Sequence, residues 1–576
     1  MSSDLQHIGL DIGSFFKQKN ISSVFTLCGG HISPILVGCE KENIDVIQVR
    51  DEVSAVFAAD AVSRLTDSVG VAIVTAGPGV TNTITAIKNA QMAQSPVLLI
   101  GGAAATLLKG KGSLQDIDQI SLLRTYVKSA VSVKKTRDVV PTLANALNTA
   151  ISGVPGPVFV ELPIDLLYPE EDIRKEFMNQ LPKSGYFGKI AHWYVSRHLD
   201  DLFSSKKSSI KVKPVKEFNL DQRNIDKAAL AIVKAKKPVF LLGNQVTQNK
   251  EFLSMCLKSL DKLSAPVYTS GMARGCFGSS DKYFFRHNRK HALKNADVVV
   301  TLGIPLDFRL GYGFSINKDA TLISINKSKE DLNKNRKPDI GMHADPTRIM
   351  HEIGKIINPP NCQAWIEELT KLEENREKEI QQFSDYKTDF VNPVYLCKTI
   401  DSLIDEGSIL IADGGDFVGT ASYTIRPRSP LGWLDPGPFG TLGVGGGFAI
   451  GAKSSFPEKE VWVFYGDGAS AYSLAEFDTL CRHKLPVIAI IGNDASWQQI
   501  AREQKKMLGS NIGTKLAFNA YEKVAEGYGG KGYYVDNHES LYETLKQAKE
   551  DAKLGYPVLV NVKLSKSDFR KGSISV

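Results

Sequence analysis

Cysteine is sparse and unpaired in this chain: seven residues among 576, at Cys28, Cys39, Cys256, Cys276, Cys362, Cys397 and Cys481. No two stand in the CxxC spacing of a zinc site, and their scatter does not make a disulfide framework, which points to a reducing compartment. Long apolar runs are missing as well. The longest, residues 97–108, falls well short of the roughly 20 residues that span a bilayer. The opening MSSDLQHIGLDIGSFF lacks a basic stretch followed by an apolar one, and the closing Ser-Ile-Ser-Val is neither a peroxisomal nor a reticulum-retention signal. The expectation is a chain without a transmembrane segment, cytoplasmic by default. Charge is not lopsided either: the formal net charge is +7 and basic residues are dispersed except over 205–216, so nucleic acid is not an expected partner. With 48 glycines, 25 prolines, 43% hydrophobic and 23% charged residues, collagen-like and disordered classes are excluded. No HExxH, GxSxG or Walker A sequence occurs, and no GxGxxG follows a strand with an acid about 20 residues on. These absences argue against a zincin, a serine hydrolase, a P-loop NTPase and a nicotinamide oxidoreductase.

What is present is a repeated grammar of short apolar runs that end at glycine. The first part of the chain has VFTLCGG, DVIQV, VAIVTAGPG, PVLLIGG and GPVFVELP; the last has SILIADGG, VWVFYGDG, PVIAIIGN and YPVLVNV; between them lie KPVFLLGN, APVYTSG and ADVVVTLGIPLD. Runs this continuous are parallel strands buried on both faces, with helical stretches between. The predicted fold class is α/β, with three doubly wound parallel-sheet domains over residues 1–175, 219–358 and 391–576. Charged, irregular linkers are predicted at 176–218 and 359–390. Gly79 and Pro96 are 17 residues apart, and Gly468 and Pro486 are 18 apart, so the first and last domains read as related.

The strongest chemical signal is Gly466-Asp467-Gly468 closing one strand run, followed after 24 residues by Asn493-Asp494 closing the next. A glycine turn lets backbone N–H groups approach a diphosphate, and Asp467 with an oxygen from the second loop suits Mg²⁺. Taken alone, both dipeptides read equally well as tight turns after strands. In company they resemble the cofactor motif of thiamine-diphosphate-dependent enzymes, and the whole chain resembles the acetolactate synthase-like branch of that family. The matching stretches include GGHISPIL, RDEVSAVFAADAVSRL, TAGPGVTNT, GSLQDIDQ, GMARG, GPFGTLGVGGGFAIGAK and GYGGKGY.

The resemblance implies a pyrimidine-binding first domain, a central domain and a diphosphate-binding last domain. It also implies thiamine diphosphate and Mg as cofactors, and active sites shared between chains of a homodimer or homotetramer. FAD or ADP in the central domain is left open. Glu52 matches the glutamate that activates the cofactor's aminopyrimidine, Pro78 and Asn82 the loop over that ring, and Gln115 a polar residue that orients the substrate. Gly415, Asp416 and Phe417 match a diphosphate loop, and Gly440 and Leu442 the apolar support that bends the cofactor. Gly466, Asp467, Gly468, Ala469, Asn493 and Asp494 match the diphosphate and metal site. The metal ligands implied are Asp467, Asp494 and the Ser496 carbonyl, with Asn493 as an alternative to Asp494. Two departures matter: Asn493-Asp494 stands where most relatives carry Asn-Asn, and Glu503 where acetolactate synthases usually carry a channel tryptophan. Asp51 also stands where relatives often carry histidine. The activity implied is carbon–carbon cleavage of a 2-hydroxyacyl-CoA to formyl-CoA and a shortened aldehyde, as in fatty-acid α-oxidation. The alternatives are acetolactate synthesis from a 2-oxo acid, pyruvate, in branched-chain amino-acid biosynthesis, and a non-catalytic cofactor-binding interaction subunit. Endoplasmic reticulum association is a further implication of the resemblance. His287 and His291, at i and i+4, read as part of a solvated basic face. The basic tail Lys563, Lys566, Arg570 and Lys571 reads as a solvated end or a closure over CoA, and residues 206–216 as a solvated linker that acidic membranes could attract.

Overall fold

The computed structural model describes residues 6–182, 184–279 and 281–570; the first five residues of the opening stretch and Lys571 lie outside them. The chain forms two units, residues 1–216 and 217–576. In the first, β1 (Ser23–Leu27), β2 (Asp45–Gln48), β3 (Gly70–Val74), β4 (Val97–Ala103), β5 (Ala130–Ser132) and β6 (Val158–Pro163) make one sheet in the order β2-β1-β3-β4-β6-β5. Every pairing in it is parallel. Strands β3, β4 and β6 are buried along their whole length, as their unbroken apolar runs require.

The second unit holds two sheets. Strands β7 (Pro238–Leu242), β8 (Val267–Thr269), β9 (Val298–Leu302), β10 (Thr321–Asn326) and β11 (Ile340–His343) order as β11-β10-β9-β7-β8. Strands β12 (Ile409–Asp413), β13 (Trp433–Leu434), β14 (Val461–Gly466), β15 (Ile488–Asn493), β16 (Lys531–Val535) and β17 (Val558–Lys563) order as β13-β12-β14-β15-β17-β16. The last sheet therefore repeats the strand order of the first. The relation that the glycine spacing hinted at extends through all six strands. In both sheets the chain direction switches sides between the first and third strands, and the carboxyl ends there are where ligands meet such folds.

The stretches expected to be irregular carry helices. Residues 186–202 form a helix whose Val195, Leu199 and Leu202 enter the core of the first sheet. His198 Nε2 lies 2.8 Å from Thr106 Oγ1, which donates to Asp165 Oδ2 at 2.6 Å. Residues 363–385 form a long helix anchored on the central sheet by Trp365, which is buried and donates its Nε1–H to the Pro238 carbonyl at 3.2 Å. Charged composition suggested irregular chain, but apolar residues at helical spacing found a sheet to pack on.

His287 and His291 also depart from expectation. The helix Arg289–Asn295 begins after His287, which is buried and stacks on Tyr423 with ring centroids 6.3 Å apart. His287 Nε2 lies 3.2 Å from Glu377 Oε1, and His291 Nε2 lies 2.8 Å from Glu368 Oε1. Burial raises the Glu377 carboxyl, but the His287 bond and the charges of Arg426 and Arg286 outweigh it and hold the group at about 2. His287, Glu373 and Glu377 bring ligand-type atoms within 4.8 Å of one another, yet Arg286 and Arg426 already serve Glu377 at 3.6 and 3.0 Å. The cluster is an ion-pair joint between the long helix and the residues after β8. Replacing the Trp365 anchor by alanine is expected to destabilise the second unit by about 3–5 kcal/mol, read as an earlier denaturant midpoint in circular dichroism.

Candidate functional site

In the first unit, the site is built at the carboxyl ends of β2, β3 and β4. Asp51 caps the helix Glu52–Leu65 by accepting from Val53 N at 3.0 Å, which fixes Glu52 at the first helical position. Glu52 is buried, and its Oε2 accepts from Asn82 Nδ2 at 3.0 Å. Its Oε1 borders the space over Gly79, where a Cβ would stand 3.5 Å away; glycine keeps that space open above the carboxylate. Pro78 starts the short helix Pro78–Thr81, and Asn82 is its C-cap. Gln115, in a left-handed conformation with φ 62°, lies directly against Gly77, so that a Cβ there would be 2.9 Å from its own. Glu52, Pro78, Asn82 and Gln115 thus come together, as do His31 and Thr75, whose Nδ1 and Oγ1 are 3.3 Å apart.

The loop after β3 is held by a residue that the sequence reading passed over. Gln119 is buried, accepts from Gly77 N at 2.8 Å and donates to the Gly102 carbonyl at 3.0 Å and to Glu161 Oε2 at 2.8 Å. Glu161, in β6, also takes Ser132 Oγ at 2.7 Å and the Lys109 ammonium. At the neighbouring end of β1, Cys28 is exposed and leads into Gly29, which abuts Thr75.

In the second unit the ends of β12, β14 and β15 converge. Gly414 has φ +145° and lies so close to Gly466 that a Cβ would be 2.8 Å from its nitrogen. Asp467 follows at the start of the short helix Asp467–Ser470, with Gly468 and Ala469 buried within it and the Trp497 ring packed on Gly468. The Asp467 carboxylate accepts from Gly468 N at 2.8 Å and Ser496 N at 3.1 Å. Burial raises its pKa against those bonds. Burial, then the Asp467 and Asp416 charges, push Asp494 up to about 8, with Lys566 of the basic tail acting against them. Two partly desolvated carboxylates facing one another form a donor set that a hard divalent cation would relieve. The Asn493 side chain is held at both ends: its Nδ2 donates to Asn561 Oδ1 at 3.2 Å and to the Asn519 carbonyl at 3.4 Å, and its Oδ1 accepts from Ala495 N at 3.3 Å.

The remaining assignments divide. Gly415 caps the helix Asp416–Thr424, and Asp416 Oδ2 accepts from Arg502 Nη2 at 2.6 Å while Oδ1 is buried without a partner. Phe417 points its ring into the core against Gly492. Gly440 is exposed in a left-handed turn at φ +66°, and Leu442 is half-buried just before the helix Val444–Ser455. The start of that helix is latched by Asp413, another residue that sequence reasoning missed. Fully buried at the end of β12, Asp413 accepts from Gly443 N at 3.0 Å and Gly445 N at 2.8 Å. Burial outweighs those bonds and raises its carboxyl to about 7. The signal was an acid closing the strand ILIAD, an unusual residue for a run buried on both faces.

The second unit also contains a cavity of about 450 Å³ lined by Arg274, Arg286, Arg289, Arg309, Arg376 and Arg426 beside Phe284 and Tyr423. Arg274 and Arg289 donate to the carbonyls of Ser422 at 2.8 Å and Arg309 at 2.9 Å. Burial and then the neighbouring Arg426 lower Arg286 to about 10, and burial and then Arg274 lower Arg289. The wall is a set of crowded cations, suited to a polyanion. Glu503 is half-buried with its Oε2 unpartnered.

Three sequence models of one family match the chain. They are the thiamine pyrophosphate enzyme N-terminal TPP binding domain over residues 11–122, its central domain over 225–353, and its C-terminal TPP binding domain over 413–562. The chain is 48% identical to 2-hydroxyacyl-CoA lyase 2 of Danio rerio, over 99% of this chain and 94% of that protein. It is 42% identical to 2-hydroxyacyl-CoA lyase 2 of Homo sapiens, over 100% and 92%. Identity to the acetolactate synthase large subunit of Mycobacterium tuberculosis is 30%, over 96% and 95%.

The Asp413 latch is testable by itself. Its pKa is raised from 3.8 to about 7, so the stability of the protonated form is fully present below 3.8 and is lost as pH rises through about 7. Urea unfolding at successive pH values should show the wild type losing stability across that window relative to Asp413→Asn, whose side chain does not titrate.

Proposed function

The chain belongs to the thiamine pyrophosphate enzymes, and from that premise we propose that it cleaves 2-hydroxyacyl-CoA into formyl-CoA and an aldehyde one carbon shorter. The observation that carries the reading is full-length similarity at 42–48% to proteins named 2-hydroxyacyl-CoA lyase 2, against 30% to an acetolactate synthase. Glu503 in place of a channel tryptophan supports the same choice. The reaction is redox-neutral: the bond between the thioester carbon and the hydroxyl-bearing carbon breaks, the hydroxyl loses its proton, and a proton is delivered to the thioester carbon.

The residues fit the cofactor pair. Asp467, Asp494 and the Ser496 carbonyl are the proposed Mg²⁺ ligands, Asp494 being preferred to Asn493 because a carboxylate is the stronger oxygen donor to Mg²⁺ and Asn493 Oδ1 already accepts from Ala495 N at 3.3 Å. Thiamine diphosphate, when bound, supplies an acidic carbon and an electron sink for the carbon–carbon bond that breaks. Glu52, held at Oε2 by Asn82, places a carboxylate at the aminopyrimidine ring nitrogen and holds the proton there. Leu442, fixed by the Asp413 latch, is the apolar support, and Gln115 orients the substrate carbonyl. The arginine-lined cavity takes the phosphates of CoA, with Arg289 as one contact and Arg309 as a second that would exchange its pairing with Asp307, at 2.6 Å, for phosphate. We further propose a homo-oligomer with active sites between chains. A reducing cytoplasm suits the seven free cysteines.

The test is to incubate protein loaded with Mg²⁺ and thiamine diphosphate with a long-chain 2-hydroxyacyl-CoA and, separately, with pyruvate, scoring products by mass. Formyl-CoA with aldehyde is expected; acetolactate alone would replace the reading. Glu52→Gln should keep cofactor binding, measured by calorimetry, and lose about 10²- to 10⁴-fold in turnover. Asp494→Ala should lose metal-dependent cofactor binding in the same titration. Arg289→Ala with Arg309→Ala should raise KM for the acyl-CoA by roughly tenfold or more with little change in kcat.

A further inference from the structure

We propose that the outer face of the helix Tyr186–Leu202, together with the lysine-rich strap after it, docks on an anionic lipid bilayer. Tyr186, Phe187, Ile190, Trp193 and Tyr194 are 76, 85, 45, 61 and 59% exposed. At 100° per residue they fall with Arg197 on one stripe of about 120°. The opposite side of the same helix is seated in the core by Val195, Leu199 and Leu202. Its docking is reinforced by the contact of His198 with Thr106 and by ion pairs of Asp200 with Arg174 at 2.9 Å and of Asp201 with Lys135 at 2.6 Å. The helix is thus apolar on two sides, and only one of them has a partner among the described residues. A contiguous aromatic patch of this kind marks an interaction surface.

The chemistry of the patch favours lipid over protein. Trp, Tyr and Phe with flanking basic residues are what sits at the depth of lipid headgroups, rings down and charges up. Lys189 is exposed on the edge of the stripe, and the Arg197 guanidinium lies 5.5 Å from the Trp193 ring. No acidic residue occurs from 186 to 199, and the first two that follow, Asp200 and Asp201, are the ones already paired. The chain then runs into KKSSIKVKPVK. Asn145 accepts from Lys213 N at 2.8 Å and donates to the Lys211 carbonyl at 3.0 Å, and Asn148 donates to the Lys213 carbonyl at 2.8 Å. These bonds pin the strap's backbone along the helix Val139–Ile151 and leave Lys206, Lys207, Lys211 and Lys213 exposed. One-signed charge that follows an aromatic face directly in the chain complements an anionic membrane. Among the described residues no helix is long and apolar enough to cross a membrane, so the contact is with its surface.

The full-length protein is floated with vesicles of phosphatidylcholine, with and without phosphatidylserine. Wild type is expected to float with the anionic vesicles and to be released by salt. Phe187→Ser with Trp193→Ser should weaken binding about a hundredfold. Replacing Lys206, Lys207, Lys211 and Lys213 by Gln should weaken it about tenfold or more and flatten the salt dependence. Both variants alter exposed side chains, and unchanged melting temperatures check their folding. Trp193 is also a reporter, because it is 61% exposed, whereas Trp365, Trp433 and Trp462 are buried and Trp497 is half-buried with its ring against Gly468. Its emission should shift to the blue on adding anionic vesicles, and Trp193→Phe should bind while losing most of that shift. Wild type that stays behind with both vesicle types overturns the proposal, as does flotation undiminished in the serine variant. A fall in oligomer mass in that variant without a change in flotation would assign the face to a second copy of the chain instead.

Discussion

The cost of holding carboxylates away from water organises the second unit's site. Asp413 and Asp467 close adjacent strands, and both are buried. Each is made tolerable by backbone N–H groups that can be supplied only if the loops run in one way: Gly443 and Gly445 turn toward Asp413, and Gly468 and Ser496 toward Asp467. Unpartnered, groups this deep would cost several kcal/mol each. The loop before the helix Val444–Ser455 and the loop after β15 are therefore positioned by the same demand, and the glycines at these ends are what permit the backbone to comply.

Much of this was legible in the residues because the information is local. Unbroken apolar runs ending in glycine correspond to the buried parallel strands, and the pairing of GDG with a distant Asn-Asp corresponds to two adjacent strand ends in one sheet. Glu52 stood out through its neighbours and lies beside Asn82, with Gln115 against the same loop. What was not legible depends on contacts between segments far apart in the chain. The bonds that tie Asn493 to Asn561 and Asn519 join segments far apart in the chain. The roles of Gln119 and Asp413 appear only when the strand ends are side by side. His287 was read as solvated because its neighbours Arg286, Arg289 and Lys290 are basic; the long helix Gln363–Asp385 supplies the acids Glu373 and Glu377 that bury it. The helices at 186–202 and 363–385 were masked by charge, although each needs only a few apolar residues to attach.

Electrostatics divides the second unit into regions of opposite need. Around Asp467 and Asp494 the side chains crowd negative charge, with Lys566 as a counterweight. Around the cavity, arginines crowd positive charge, relieved in part by Glu377. Each region raises the energy of the empty protein and lowers that of a protein holding its complement, so stability and ligand occupancy are linked by mass action.

The cysteines carry a practical consequence. Burial pushes the Cys39 and Cys276 thiols up to about 12 and raises Cys256 and Cys397 as well, which leaves them poor nucleophiles behind a closed core. Cys28 is the exposed thiol, and it sits one residue before the glycine that abuts Thr75, which with Glu52 borders Gly79. A maleimide dye added to the native protein would label that position ahead of the others, giving a fluorescent reporter at the end of β1 without a single engineered residue.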